Sequence, residues 1–196
     1  MRYRADITGT PLCLRETRIV ATHLLQNLKP ADSVKQIVSE RLFGYASDAS
    51  AQKTASALHK RLSPFCEIFW EWIRSGDREL TRQSALASVI ERSYLVGDFM
   101  DLVIREQLRG FERLMPPQAW SNYVEDCLSR DPELSPWSDS TIKKLKSVTY
   151  SMLVETGYLQ SIRNPQVQRV FVDNSLAEYL KQKQKPYILR CLEVSG

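Results

Sequence analysis

The chain contains two histidines, His23 and His59, so a Ser/His/Asp or Cys/His centre would have to use one of them. His23 falls inside an apolar-periodic helix, where ordinary packing or surface use is expected. His59 stands beside Lys60 and Arg61, where a place near phosphate suits it better than general-base work. Gly97-Asp98-Phe99-Met100-Asp101 sets two carboxylates three positions apart on one helical face, a spacing that can hold a cation but ordinarily makes a solvated face. Cys13, Cys66, Cys127 and Cys191 are far apart and form no CxxC, so reduced thiols packed as small apolar groups are expected. These residues do not assemble an active site. The expectation is a protein that is not an enzyme, with no catalytic residue, metal or cofactor.

Basic helical faces carry the stronger signal. At 100° per residue, Lys53, Ser56, Ala57 and Lys60 fall opposite Ala51, Ala55, Leu58 and Leu62, with Arg61 at the edge. Further on, Lys143, Lys146, Ser147 and Tyr150 share a face, flanked by Lys144, against Leu145, Val148 and Met152. Three lysines in the first two turns of that helix oppose its macrodipole, a small cost that an approaching anion would offset. Arg163 and Arg169 follow, and Lys181, Lys183, Lys185 and Arg190 add a later basic run. Lysine and arginine on phosphates give affinity without reading sequence, so salt-sensitive and weakly specific binding is expected.

The elements that must hold these faces are helical almost throughout, and the fold class is expected to be all-α. Apolar spacing predicts helices from Arg15 to Leu28, from Asp32 or Ser33 to Leu42, from Ser50 to Leu62, from Phe65 to Arg74, from Asp77 to about Tyr94, and from Val96 to Arg109. Pro116-Pro117 opens the next helix, and Asp131 to Pro136 has the composition of a linker. Ser138 is a strong N-cap, with Trp137 and Ile142 at hydrophobic-staple positions, and Gly157 sits at the left-handed C-terminal position. Tyr158 to Ile162, a turn at Arg163-Asn164-Pro165, and Val167 to Val172 read as a short β-hairpin. A last helix, Ser175 to Lys183, and an apolar tail, Tyr187 to Leu192, follow. The expected organisation is an N-terminal helical bundle over 1–130, containing a helix-turn-helix-like segment at 31–62, and a C-terminal winged-helix-like unit over 137–196.

Composition sets the outer limits. The chain has 196 residues, is 43% hydrophobic and 26% charged, which suits a globular fold rather than disorder. Its 7 glycines stand alone, so neither a P-loop nor a GxGxxG is present. The net charge of +4 is unevenly spread. Residues 1–62 hold ten basic and five acidic residues, 63–137 eight and thirteen, and 138–196 nine and five. Two basic ends suit a polyanion and the acidic middle suits another partner. No apolar stretch approaches a membrane span and the N-terminus lacks a signal-peptide core, so a soluble cytoplasmic protein with no membrane contact is expected.

Leu14-Arg15-Glu16-Thr17-Arg18-Ile19, Lys53-Thr54-Ala55 through Lys60-Arg61-Leu62, Trp137-Ser138 through Thr141, Lys144-Leu145, and Glu155-Thr156-Gly157-Tyr158-Leu159 occur in order along the chain. In these motifs the sequence resembles the BrxA family of BREX bacteriophage-exclusion systems. The resemblance implies a helical fold similar to the antitermination factor NusB and binding of double-stranded DNA. It also implies action beside a methyltransferase, an ATPase and a phosphatase-like partner. It carries over Lys53, Lys60, Arg61 and Lys144 as contacts; Lys143, Lys146, Arg163 and Arg169 rest on the residue pattern alone. The competing readings are a scaffold that binds only other BREX proteins and an RNA binder in the manner of NusB.

Overall fold

The computed structural model describes residues 3–194 and divides the chain into two compact units. One unit is Leu12–Ser88. The other is built from the chain before Leu12 together with the chain from Val89 onward.

In the Leu12–Ser88 unit, α1 (Leu14–Leu25) packs on α3 (Asp48–Leu62) and α4 (Glu67–Ser75), while α2 (Pro30–Ser39) packs on α3. Pro30 occupies the first position of α2, where its missing N–H has no helical partner to lose. Ser47 caps α3 by accepting the Ser50 amide at 3.4 Å. Asp77 caps α5 (Arg78–Arg92), its Oδ1 accepting the Glu79 and Leu80 amides at 2.8 and 2.9 Å. The expected inward stripe of α3 is buried, as are Phe69 and Ile73 of the aromatic helix α4, where Phe65 and Phe69 stack at 3.9 Å. Ser33 is not a cap as the spacing suggested; it lies within α2, and its buried side chain has another task described below.

In the other unit, the single expected helix over 96–109 runs as α6 (Tyr94–Asp98), a π-helical stretch (Phe99–Ile104) and α7 (Arg105–Arg109), ending at Gly110. It is joined by α8 (Ala119–Arg130), α9 (Asp139–Glu155), α10 (Asn174–Gln182), α11 (Pro186–Leu192) and a short 3₁₀ turn at Asp6–Gly9. Phe99 is the centre of an aromatic core, with ring centroids 5.1 Å from Trp120, 5.1 Å from Tyr123 and 5.8 Å from Tyr150. The two carboxylates of the 98–101 pair have separate structural partners. Asp98 is buried and accepts the hydroxyls of Tyr3 (2.7 Å) and Tyr187 (2.6 Å), whereas Asp101 pairs with Arg105 (3.1 Å) and Arg190 (2.9 Å). Asp131–Pro136 lies inside this unit with Asp131 and Leu134 buried.

The expected β-hairpin is not present: the described residues contain no strand. Leu159 faces Val167 and Leu114 faces Gln166, each as an isolated antiparallel bridge. Pro165 has no N–H for a ladder, and the Ser161 hydroxyl closes the turn by accepting the Asn164 amide at 2.9 Å. The Gln160 amide donates to the Gln166 carbonyl and the Gln168 amide to the Tyr158 carbonyl (2.9 Å each), flanking the single Leu159–Val167 bridge, while the Val167 amide points to the other side, onto the Arg113 carbonyl (2.9 Å). The apolar tail is helical, as α11. No helix among the described residues is long and apolar enough to cross a membrane.

Candidate nucleic-acid interface

The first basic face lies on α3. Lys53 and Lys60 are exposed and, among the described residues, have no carboxylate partner, with half-buried Ser56 and Ala57 between them. Arg61 does not join them. It is 7% exposed, on the side of α3 that also buries Leu58 and Leu62. α2, residues 40–47 and α3 form a helix–loop–helix whose loop turns through left-handed residues at Arg41 (φ 51°) and Gly44 (φ 69°).

A buried polar array under this face is invisible in sequence spacing. Ser33 Oγ lies 2.8 Å from His23 Nδ1 and 2.7 Å from His59 Nε2, all three residues being buried. The hydroxyl has one proton and two lone pairs, so Ser33 can donate to at most one imidazole and at least one imidazole donates to Ser33. Desolvation holds both imidazoles below the usual histidine pKa; His23 repels charge on His59, whereas Glu40 partly opposes the effect on His23. His59 Nδ1 is buried with no hydrogen-bond partner among the described residues. His59, expected near phosphate, is thus an interior residue. It lines an open groove of about 840 Å³ between α2 and α3, whose walls include Leu24, Val34, Val38, Ser56 and Lys60.

The second basic face lies on α9, in the other unit. Ser138 caps the helix, its Oγ accepting the Thr141 amide at 3.3 Å, and Gly157 takes φ +82° just past its C-terminus. Lys143 and Lys144 are exposed without a carboxylate partner among the described residues. Lys146 is half-buried, its Nζ 5.4 Å from the centre of the Tyr150 ring. Tyr150 itself leaves the basic face for the aromatic core, and burial pushes its phenol up to about 12. Arg163 and Arg169 are exposed on the bridged segment after α9.

The family model for BrxA matches residues 1–184 of the chain. The chain is 34% identical over 194 residues to a BREX protein BrxA of Paramagnetospirillum magneticum, covering 99% of this chain and 98% of that one. A BREX protein BrxA of Escherichia coli O9:H4 is 28% identical over 167 residues, covering 85% of this chain and 78% of that one. Among solved structures, a crystal structure of an uncharacterized protein from Magnetospirillum magneticum is similar with a TM-score of 0.90 at 33% identity, covering 99% of this chain and 100% of that one. A match of this extent, over nearly the whole chain, places it in the BrxA family.

Proposed function

We propose that the protein is a non-catalytic component of a BREX bacteriophage-defence system that binds double-stranded DNA mainly through phosphate contacts. The observation that carries this reading is the set of exposed lysines, Lys53 and Lys60 on α3 and Lys143 and Lys144 on α9, without carboxylate partners among the described residues. A lysine not neutralised by its own chain is available to displace counterions from a phosphate backbone. Lys146, Arg163 and Arg169 extend the second face. In this reading α2 and α3 serve as a helix-turn-helix-like element within a NusB-like fold, and α9 with the bridged segment serves in the manner of a winged helix. Binding is weakly specific because a cation resting on phosphate oxygens carries no information about the bases.

A mobility-shift titration tests it. Duplex DNA is expected to shift at low salt, and the Lys53→Ala/Lys60→Ala/Lys143→Ala variant to shift it far less; no shift by the wild type overturns the reading. Stem-loop RNA bound more tightly than duplex DNA would assign the faces to RNA instead.

The groove between α2 and α3 favours a second reading, a scaffold that binds only other BREX proteins, because Leu24, Val34 and Val38 line it with apolar surface. Recovery of a stable complex with other BREX proteins by a variant that has lost all nucleic-acid binding would favour that reading.

A further inference from the structure

The loop after α7 and the segment after the bridges carry side chains that, Arg169 apart, neither basic face includes. Phe111 is fully exposed and Phe171 is 81% exposed, two large apolar rings held out into solvent. Phe111 is not loose: the Gln107 side-chain amide donates to the Glu112 and Leu114 carbonyls at 2.6 and 2.9 Å, fixing the loop from within. The loop is also joined to the segment leading to Arg169, with the Val167 amide on the Arg113 carbonyl (2.9 Å) and the Met115 amide on the Pro165 carbonyl (3.1 Å).

Phe111 lines a cleft of about 330 Å³ with Arg109, Arg113 and Arg169, and no carboxylate residue lines it. None of these arginines has a carboxylate partner among the described residues. Phe171 lines a separate cavity with Lys181, which likewise has no such partner; Glu193 also lines that cavity, and its Arg105 and Arg190 are already paired with Asp101. Three arginines without an internal counter-ion in the Phe111 cleft, with outward-facing phenyl rings in and beside it, match the needs of a strand with unstacked bases. Guanidinium and ammonium groups hold phosphates, and each ring offers a face to a base. A duplex keeps its bases stacked and has no use for the rings.

We propose that Arg109, Arg113 and Arg169, with Phe111 and Phe171, form a binding site for single-stranded nucleic acid, phosphates on the arginines and bases on the phenyl rings. The site depends on the proposed duplex contact only in sharing Arg169. An acidic peptide would use the arginines but make no use of the exposed ring faces.

Fluorescence anisotropy of the full chain against labelled oligothymidylate of about fifteen nucleotides, a duplex and a polyglutamate peptide tests this site. Phe111→Ala/Phe171→Ala is expected to weaken oligothymidylate binding by about tenfold or more while duplex affinity stays within about twofold. Arg109→Ala/Arg113→Ala is expected to weaken the same binding and flatten its salt dependence. Circular dichroism establishes that both variants stay folded, as expected for outward-facing side chains. Oligothymidylate binding that is absent in the wild type, or unchanged in the phenylalanine variant, overturns the proposal. So does loss confined to polyglutamate, which would assign the cleft to an acidic protein. If the wild type binds no duplex but binds oligothymidylate through the rings, the proposed duplex function fails and this site stands.

Discussion

The Tyr187 hydroxyl donates to Asp98 Oδ1 at 2.6 Å, joining α11 to α6 across 89 residues of sequence. The bond fixes the tyrosine against Gly97. A Cβ on Gly97 would collide with the Tyr187 hydroxyl and approach its Cζ to 3.0 Å and Ile90 Cγ2 to 3.1 Å. The hydroxyl could yield only by leaving a buried carboxylate. Gly97→Ala is therefore expected to destabilise the protein by about 1–3 kcal/mol, measured as a lower urea midpoint at unchanged slope. Tyr187→Phe removes a donor from Asp98 and should cost a similar amount, about 1–3 kcal/mol.

Ser33 has no substitute in the array between His23 and His59. Ser33→Ala leaves two more buried ring nitrogens unpartnered and is expected to cost about 1–3 kcal/mol in equilibrium unfolding. Duplex binding at temperatures where the variant is folded should be unaffected, because the array lies beneath the lysines.

The same array fixes the sign of a pH dependence. Both histidines have folded pKa values below their ordinary value of about 6.5, so above that pH they are neutral in both states and the stability is fully present. As pH falls below about 6.5 the unfolded chain takes up protons first, and stability is lost toward the folded pKa values. Urea unfolding between about pH 7.5 and 5 should show this decline, and His59→Gln should make it shallower.

Ser138→Ala removes the side-chain acceptor from the Thr141 amide and is expected to cost about 1 kcal/mol. Gly157→Ala places a Cβ at φ +82° and should cost about the same, on thermal or urea unfolding. Both changes act on α9 and neither removes a lysine, so loss of duplex binding by the folded variants would mean that the α9 cap itself forms part of the contact.

The features legible in the sequence were the local ones. Ser138, Asp77 and Gly157 act through amides or φ values within a few residues, and the stripe Ala51, Ala55, Leu58 and Leu62 follows from helical period alone. Exposed Lys53, Lys60, Lys143 and Lys144 followed from the same projection. Arg61 and Tyr150 stand at the margin of their stripes, where a projection cannot tell edge from interior; neighbouring elements buried them. The hairpin failed because β-branched residues at 167–172 promise a strand, while the actual partners of Val167 and Gln166 include the loop at 113–114, far away in sequence. His23, Ser33 and His59 meet only through the packing of three helices, and no spacing rule connects them. The Phe111 cleft was not read from the sequence, because it depends on Gln107 and on the tie between the loop and 165–167.

The claim that basic faces on α3 and α9 hold duplex phosphates is tested most directly by the salt dependence of binding. The logarithm of the wild-type affinity should fall linearly with the logarithm of salt concentration, at about 0.9 per phosphate neutralised. Lys143→Ala/Lys144→Ala should reduce that slope by about 1–2 while leaving the protein folded. A wild-type affinity independent of salt, or a slope unchanged by removing the α9 lysines, would contradict it.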